Sequence, residues 1–322
     1  NYFGLDSLEV HQALDASIRY PAETLGIGMF GTRYKKNAEI KTKRRVEKDG
    51  TSITMHETPV GSVSQKNKDG YTFEKMVKHP EDIEVVKYII SQTEFFFNEG
   101  GFHLATEIME DMGVPQSYYS RSPFMKCILN YLGFETTVIF LARHRKIMNE
   151  FLDFMEEWDD GMYEVIVDCP MKILNFGENI DGNLISPRYF KKYLIPYYNK
   201  RVKEVHDAGK FCHVHMDGAL KDLLPLVKDT EFDGVEAATP EPQGDVTIQE
   251  IKKGLGDKIL LDGIPATVFL PHFPESRLHD TVHEVLDTFY PNLILGVSDE
   301  LPPNAEIARL PGVAKQVKEF SR

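Results

Sequence analysis

The segment Lys210–Gly218, KFCHVHMDG, sets two imidazoles and a carboxylate at alternate positions: His213, His215 and Asp217. Residues at i, i+2 and i+4 of a strand share a face, so an extended backbone aims all three side chains the same way. A helix pattern, Ala219 to Leu224, follows at once. That order puts the group at the C-terminal end of a strand in a βα unit, where α/β proteins assemble their sites. Imidazole and carboxylate together there suit a metal site or acid–base work. The competing structural roles are a hydrogen-bonded core histidine for His213 and a helix N-cap for Asp217.

Other strand ends must converge on the same mouth. Beyond residue 100 the pattern alternates between strands and helices. The expected strands are Val114–Tyr118, Met171–Phe176, Phe211–His215, Gly234–Ala237, Ile259–Asp262 and Leu293–Val297. Helices are expected over 136–150, 152–166, 188–208, 219–228, 247–254, 275–289 and 304–319. Successive βα units with short connections predict a parallel sheet covered by helices. There is no GxGxxG after the first strand and no Walker A loop, which disfavours a nucleotide-binding open sheet and favours a barrel. Earlier in the chain, Asp49-Gly50 between two alternating runs signals a β-hairpin within 38–63. Residues 7–18 and 80–90 read as helices, the second with Pro80 at its start and acids in its first turn.

Read in turn, the strand ends present Asn175, Glu178, Asn179 and Asp181, then His213, His215 and Asp217, then Glu236, then Asp262, then Ser298, Asp299 and Glu300. No lysine or arginine stands among them. Crowded carboxylates repel one another and take up protons unless a divalent cation relieves them. His plus two carboxylates is an accepted zinc set, which makes His215, Asp217 and Glu236 the expected ligands and catalytic groups. Proton sharing without a metal stays open. Asp262-Gly263 reads equally well as a turn, and Asp299 and Glu300, ahead of Pro302-Pro303, as solvated or capping acids. Phe30, Tyr34, Tyr118 and Phe176 near this mouth suit an apolar pocket for a small organic substrate.

The 322 residues fit one large α/β domain or two smaller ones. A formal net charge of -13 argues against nucleic acid as a partner. No run of 18 apolar residues offers a membrane span. Cys127, Cys169 and Cys212 lie far apart in apolar surroundings, as reduced thiols of a cytoplasmic protein do. No stripe argues for a particular interface, and a homodimer is among the states the sequence allows.

The residues also resemble a family. Gly177-Glu178-Asn179-Ile180-Asp181-Gly182-Asn183-Leu184-Ile185-Ser186-Pro187-Arg188-Tyr189-Phe190 with Leu194 to Tyr198, Gly31-Thr32-Arg33-Tyr34, Thr58-Pro59-Val60-Gly61, 80–90, and Leu295 to Pro303 resemble the uroporphyrinogen decarboxylase superfamily. The resemblance spans nearly the whole chain and implies a (β/α)8 TIM barrel, here a single domain over 1–322 with the hairpin as an N-terminal elaboration. Asn1 would then fall inside the family pattern, with an opening helix and first strand preceding it.

True uroporphyrinogen decarboxylases carry an arginine-rich MRQAGR loop and a histidine just after the last-strand glycine. This sequence lacks that loop and has Val297 and Ser298 at the second place, so porphyrinogen decarboxylation is disfavoured. The other branch, to which the chain is more similar, comprises corrinoid-dependent methyltransferases. Many of these bind zinc through an HxC motif and a later cysteine. His215-Met216-Asp217-Gly218 looks like HxCG with aspartate for cysteine, and the later cysteine is Val297 or Ser298. An oxygen-rich site would suit an ether oxygen better than a thiol. The resemblance thus implies a methyltransferase moving a methyl group from a small methylated or methoxylated compound, an aromatic one included, to cobalamin on a partner corrinoid protein, with zinc at the site. Glu178, Asn179, Asp181 and Asp262 would orient the substrate or the ligands. The alternatives are a metal-free decarboxylase or lyase acting on a small carboxylic acid through His215, and a barrel with a binding role only.

Overall fold

The computed structural model describes residues 4–320; Asn1, where the N-terminal expectation begins, lies outside them. The chain divides into two compact units, one of residues 4–29, 98–120 and 169–320, the other of 30–97 and 121–168.

The second unit opens with β1 (Phe30–Tyr34). A four-stranded antiparallel sheet follows: β2 (Lys41–Val46), β3 (Ser52–Thr58), β4 (Gly61–Lys68) and β5 (Tyr71–Glu74), in that order. Its first turn is the expected Asp-Gly hairpin. Asp49 accepts from the amide and the hydroxyl of Thr51, both at 3.0 Å, and Gly50 takes φ 86°, a left-handed angle that glycine adopts without strain. The alternating pattern foretold β2 and β3, and the sheet continues beyond them through β4 and β5. Next, β6 (Thr93–Phe97) pairs antiparallel with β1. The helix Asp82–Ser91 packs on β3 and β4 and buries Ile83, Val85, Val86, Ile89 and Ile90. The long helix Arg145–Asp168 packs beside it.

The first unit holds a six-stranded parallel sheet: β7 (Gln116–Tyr119), β8 (Ile173–Ile180), β9 (Phe211–Met216), β10 (Gly234–Glu236), β11 (Ile259–Pro265) and β12 (Leu293–Ser298). All six expected strands are present, and they lie in sequence order without a reversal, the succession that a (β/α) barrel requires. Helices Ile195–Asp207, Ile248–Leu255, Glu275–Phe289 and Leu310–Glu319 stand close to their expected places. The exception is 219–228, where only Leu224–Val227 is helical. The reason is Pro225: it has no N–H and its ring clashes with the carbonyl four residues back, so it is accepted in a helix's first turn and not inside a helix begun at 219.

All three cysteines are buried, and none forms a disulfide among the described residues. Among the described residues no helix is long and apolar enough to cross a membrane.

In the second unit Lys126 forms an ion pair with Asp159, with side chains 7% and 0% exposed, and the Lys126 ammonium sits 5.3 Å over the Trp158 ring. Removing one partner of a buried pair strands the other charge, at a cost of about 3–5 kcal/mol. Lys126→Met should lower the unfolding free energy by about that much in urea titrations. The double variant Lys126→Met/Asp159→Leu should be less destabilised than the single one. A double variant as weak as the single would show that the cost is not the stranded carboxylate.

Candidate functional site

Parallel register builds the site. It sets Tyr118 of β7 beside Asn175 of β8, Asn175 beside His213 of β9, and His215 beside Glu236 of β10. Lateral neighbours in a sheet share a face, so these side chains gather on one side at the C-terminal strand ends.

Glu236, only 2% exposed, is the hub. Its Oε2 accepts from Asn175 Nδ2 (2.6 Å), Tyr118 Oη (2.8 Å) and His215 Nδ1 (3.0 Å). Its Oε1 accepts from Tyr20 Oη, with Arg19 Nη1 at 3.5 Å. Burial works against the charge, but the His215 hydrogen bond, the neighbouring His213 and Arg19, and the Tyr20 hydroxyl outweigh it and bring the carboxyl down to about 2. Two carboxylate oxygens offer about four lone-pair directions, and protein donors already occupy them. Glu236 therefore orients the site and has no free oxygen to offer an ion.

Each donor is fixed in turn. Tyr20 and Tyr118 stack at 4.6 Å, and burial together with the Glu236 charge pushes both phenols up, so they stay neutral donors. Tyr20 gives its proton to Glu236 and accepts from Asn175 Nδ2 (2.7 Å), which leaves His213 Nε2 (3.1 Å) as another donor to it. Burial lowers His213 to about 4; it is a neutral support. Arg19 pairs with Asp262 as well as Glu236. Burial and the Glu236 charge lift Asp262 to about 7 against the pull of Arg19. Gly296 makes the space for this pair, since a Cβ there would lie 2.3 Å from Asp262 Oδ1.

An ionised Glu236 can only accept, so His215 must carry its proton on Nδ1 when neutral. Its Nε2 lone pair then faces outward. That nitrogen has no hydrogen-bond partner among the described residues, and neither has Asp217 Oδ1. Asp217 Oδ1 and Asp299 Oδ2 each lie 3.9 Å from it, too far for a hydrogen bond. One donor atom from each of the three residues lies within 4.8 Å of the others. Burial and the charges of Asp299 and Asp181 raise Asp217. Burial pulls His215 down, but the Glu236 hydrogen bond and the surrounding carboxylates outweigh it and raise the imidazole.

The loop holding Asp217 is braced. The Asp217 amide donates to Ile180 O (3.0 Å), and Asp181 accepts from the Asn183 amide (2.8 Å). Gly218, at φ 74°, lets Asp181 approach to 2.6 Å of where a Cβ would stand. Asp217 caps no helix.

Of the expected site residues, the structure brings together His215, Asp217, Glu236, Tyr118 and Asp262. Asp181 braces the loop. Glu178 is fully buried on β8, and Asn179 beside it has φ 54°. Phe176 is in the core, within 5.0 Å of Tyr119 and Phe232 by ring centroids. Phe30 and Tyr34 lie on β1 of the other unit, where Phe30 packs on Phe95 and Phe97 and Tyr34 is exposed. Facing the free His215 nitrogen with Asp217 is Asp299, in place of Glu236. The absence of a cation at the strand ends is corrected by Arg19, which enters with Tyr20 from the segment ahead of β7. No local motif marks these two residues. Asn175 and Asp299 were visible as strand-end polar groups.

The model of the family described as uroporphyrinogen decarboxylase (URO-D) matches residues 62–320. The chain belongs to the uroporphyrinogen decarboxylase family. Among solved structures, this family member is similar to a methyltransferase from Methanosarcina mazei, at 12% identity over 98% of this chain and 83% of that one, with a TM-score of 0.59. It is also similar to a B12-independent methionine synthase from Shewanella, at 12% identity over 97% of this chain and 86% of that one, with a TM-score of 0.49. The first likeness shows a shared fold. A comparison with curated proteins returns no match.

A carboxyl held at about 2 against an ordinary 4.5 contributes about 3 kcal/mol of stability above pH 4.5. That contribution is lost as the pH falls toward 2. Glu236→Gln should therefore unfold more easily than the parent at pH 7, with the gap closing in thermal melts between pH 4.5 and 2. A gap that stays constant with pH would show that Glu236 is not the stabilised anion.

Proposed function

We propose that this protein is the methyltransferase component of a corrinoid-dependent demethylase. It would move a methyl group from a small methylated or methoxylated compound, aryl methyl ethers included, to the cobalt of a partner corrinoid protein. Family membership and the fold held in common with a methyltransferase support a methyl-transfer role. The observation that carries the reading is the unpartnered Nε2 of buried His215, aimed between Asp217 and Asp299.

This donor set fits a divalent ion such as zinc. It offers an imidazole lone pair in a fixed tautomer, a second unpartnered atom in Asp217 Oδ1, and two carboxylates whose mutual repulsion a cation relieves. Glu236 on the other ring nitrogen completes the carboxylate–histidine–metal arrangement that orients a ligand imidazole. Bound by His215, Asp217 and Asp299, the ion would supply Lewis acidity toward the oxygen bearing the methyl group.

The chemistry requires that help, because phenolate and alkoxide leave poorly at neutral pH. In the proposed displacement the partner's cobalt(I) would supply the electron pair for the new bond to the methyl carbon. The electron pair of the broken C–O bond would stay on oxygen, and the resulting alkoxide or phenolate would take its proton from solvent. Glu236 holds the His215 ring, Tyr20, Tyr118 and Asn175 hold Glu236, and the Arg19–Asp262 pair limits the negative charge beneath. One observation favours a second reading. The raised His215 imidazole would serve as a proton donor in a metal-free lyase acting on a small acid.

Relative to the parent, His215→Ala should lose about one equivalent of divalent metal by elemental analysis, and Asp217→Asn and Asp299→Asn a part of it. Incubation with cob(I)alamin and a panel of methoxylated and methylated compounds should give methylcobalamin absorbance, abolished in His215→Ala. Full metal content in all three variants would sink the ligand assignment. Carbon dioxide release from a carboxylic acid, with no methylcobalamin across the panel, would select the lyase.

A further inference from the structure

At the opposite, N-terminal end of the same strands stands a second group of donors that the site above does not use. Cys212 is the second residue of β9, Asp233 immediately precedes β10, and His206 lies in the last turn of the helix Ile195–Asp207. A ring nitrogen of His206, Sγ of Cys212 and a carboxylate oxygen of Asp233 lie within 4.8 Å of one another. We propose that His206, Cys212 and Asp233 form a structural site for a thiophilic divalent cation, zinc by preference, that clamps this helix to the N-terminal ends of β9 and β10.

The three thiols of the chain differ in their surroundings. Cys169 Sγ takes a hydrogen bond from the Lys210 ammonium at 3.5 Å, and Cys127 is buried and belongs to no group of three or more His, Cys, Asp or Glu donors among the described residues. Cys212 is 0% exposed, its sulfur has no hydrogen bond among the described residues, and it points into a cluster that already holds an imidazole and a carboxylate. A thiolate with an imidazole nitrogen and a carboxylate oxygen is a borderline-soft set that zinc accepts, with water filling the fourth place.

The imidazole–carboxylate distance is close to what an ion needs, and the sulfur lies within 4.8 Å of the other two donors. Around tetrahedral zinc, nitrogen and oxygen ligands stand about 3.3 Å apart, and sulfur about 3.6 Å from either. His206 Nε2 is now 3.0 Å from Asp233 Oδ2, so the ion would replace the proton shared along that contact. Asp233 Oδ2 would keep its 2.7 Å hydrogen bond from the Cys212 amide on one lone pair and offer the other to the ion. Cys212 binds as thiolate and releases its proton to solvent. Lys258 is the cation facing Cys212 and Asp233. It is held away on the carbonyls of Thr230 and Phe232, both at 2.8 Å, and its charge favours the thiolate while weakening the ion's attraction. The exposed edge of His206 provides the entry path.

Cobalt(II) titrated into chelator-treated full-length protein tests this without any activity assay. Thiolate ligation gives an intense near-ultraviolet sulfur-to-cobalt charge-transfer band, which a set of nitrogen and oxygen ligands such as His215, Asp217 and Asp299 does not. The band should appear, disappear on adding zinc, and be absent in Cys212→Ser, while Cys127→Ser keeps it. His206→Ala changes a half-exposed side chain and should fold normally by circular dichroism, yet bind cobalt at this site at least about tenfold more weakly. Saturating cobalt with no charge-transfer band would overturn the proposal. So would a band that survives in Cys212→Ser or keeps full affinity in His206→Ala.

Discussion

One ionised carboxylate, buried among hydrogen-bond donors, organises the functional end of this fold. Glu236 draws a hydroxyl from β7, an amide from β8 and an imidazole from β9 onto its own strand β10, with a second hydroxyl and a guanidinium from the segment at Arg19-Tyr20. A charge in such a place is tolerable only when its lone pairs are satisfied, so the donors and the acid require one another. Each donor also loses its freedom to turn. The consequence that matters chemically is the tautomer of His215. An acceptor-only partner at Nδ1 leaves Nε2 as the exposed lone pair, and the free atom of the site is thereby chosen by an atom on its far side.

The acids around this hub are divided by their surroundings. Glu236 collects donors and stays ionised, while Asp262, equally buried but with Arg19 as its partner, is lifted to about 7 by burial and the Glu236 charge. Between them Arg19 supplies one fixed positive charge, and His213 stays neutral. Such a division of like groups is how one site holds both a permanent anion and a proton-bearing acid near neutral pH. Further out, Asp217 and Asp299 have no comparable donors, and their shared neighbour is the lone pair of His215. The floor of the site is electrically satisfied and the rim is not. That contrast points a ligand to the rim.

Much of this was legible in the chain. Alternation in KFCHVHMDG and the βα rhythm placed β9 and its five sheet partners, because strand patterns and flanking helices are local signals. Register then follows from a sheet of consecutive parallel strands, which is why His215, Asp217 and Glu236 belong to one neighbourhood. The rest was set by contacts without local signatures. Arg19 and Tyr20 reach Glu236 across more than two hundred positions of sequence, and a polar pair before a proline gives no hint of that reach. The role of Glu236 depended on counting its donors. Asp299 read as a solvated loop acid because nothing in Ser-Asp-Glu-Leu-Pro-Pro tells which way the loop folds. The helix expected over 219–228 failed for a different reason that the sequence does carry: Pro225 belongs in a first turn, so the helix begins only at Leu224.

The departure from the family's thiol pattern has a structural counterpart. Relatives that bind zinc through HxC and a later cysteine would present their sulfurs at positions 217 and 297 or 298 of this chain. Here Asp217 occupies the first, and Asp299 lies immediately beyond the second, within 3.9 Å of the same imidazole nitrogen. Both replacements exchange a soft sulfur for a hard oxygen, at adjoining places and in the same direction. A single exchange would leave a mixed and weakened set. On the proposed reading, two in concert would keep the count of anionic donors while changing their character, and would shift the preferred partners from thiol chemistry toward oxygen. The orienting apparatus beneath depends on neither sulfur, since Glu236, Tyr20, Tyr118 and Asn175 engage the other ring nitrogen or its carboxylate partner. A barrel of this kind can therefore vary its outer ligands while the buried network that aims the histidine stays fixed.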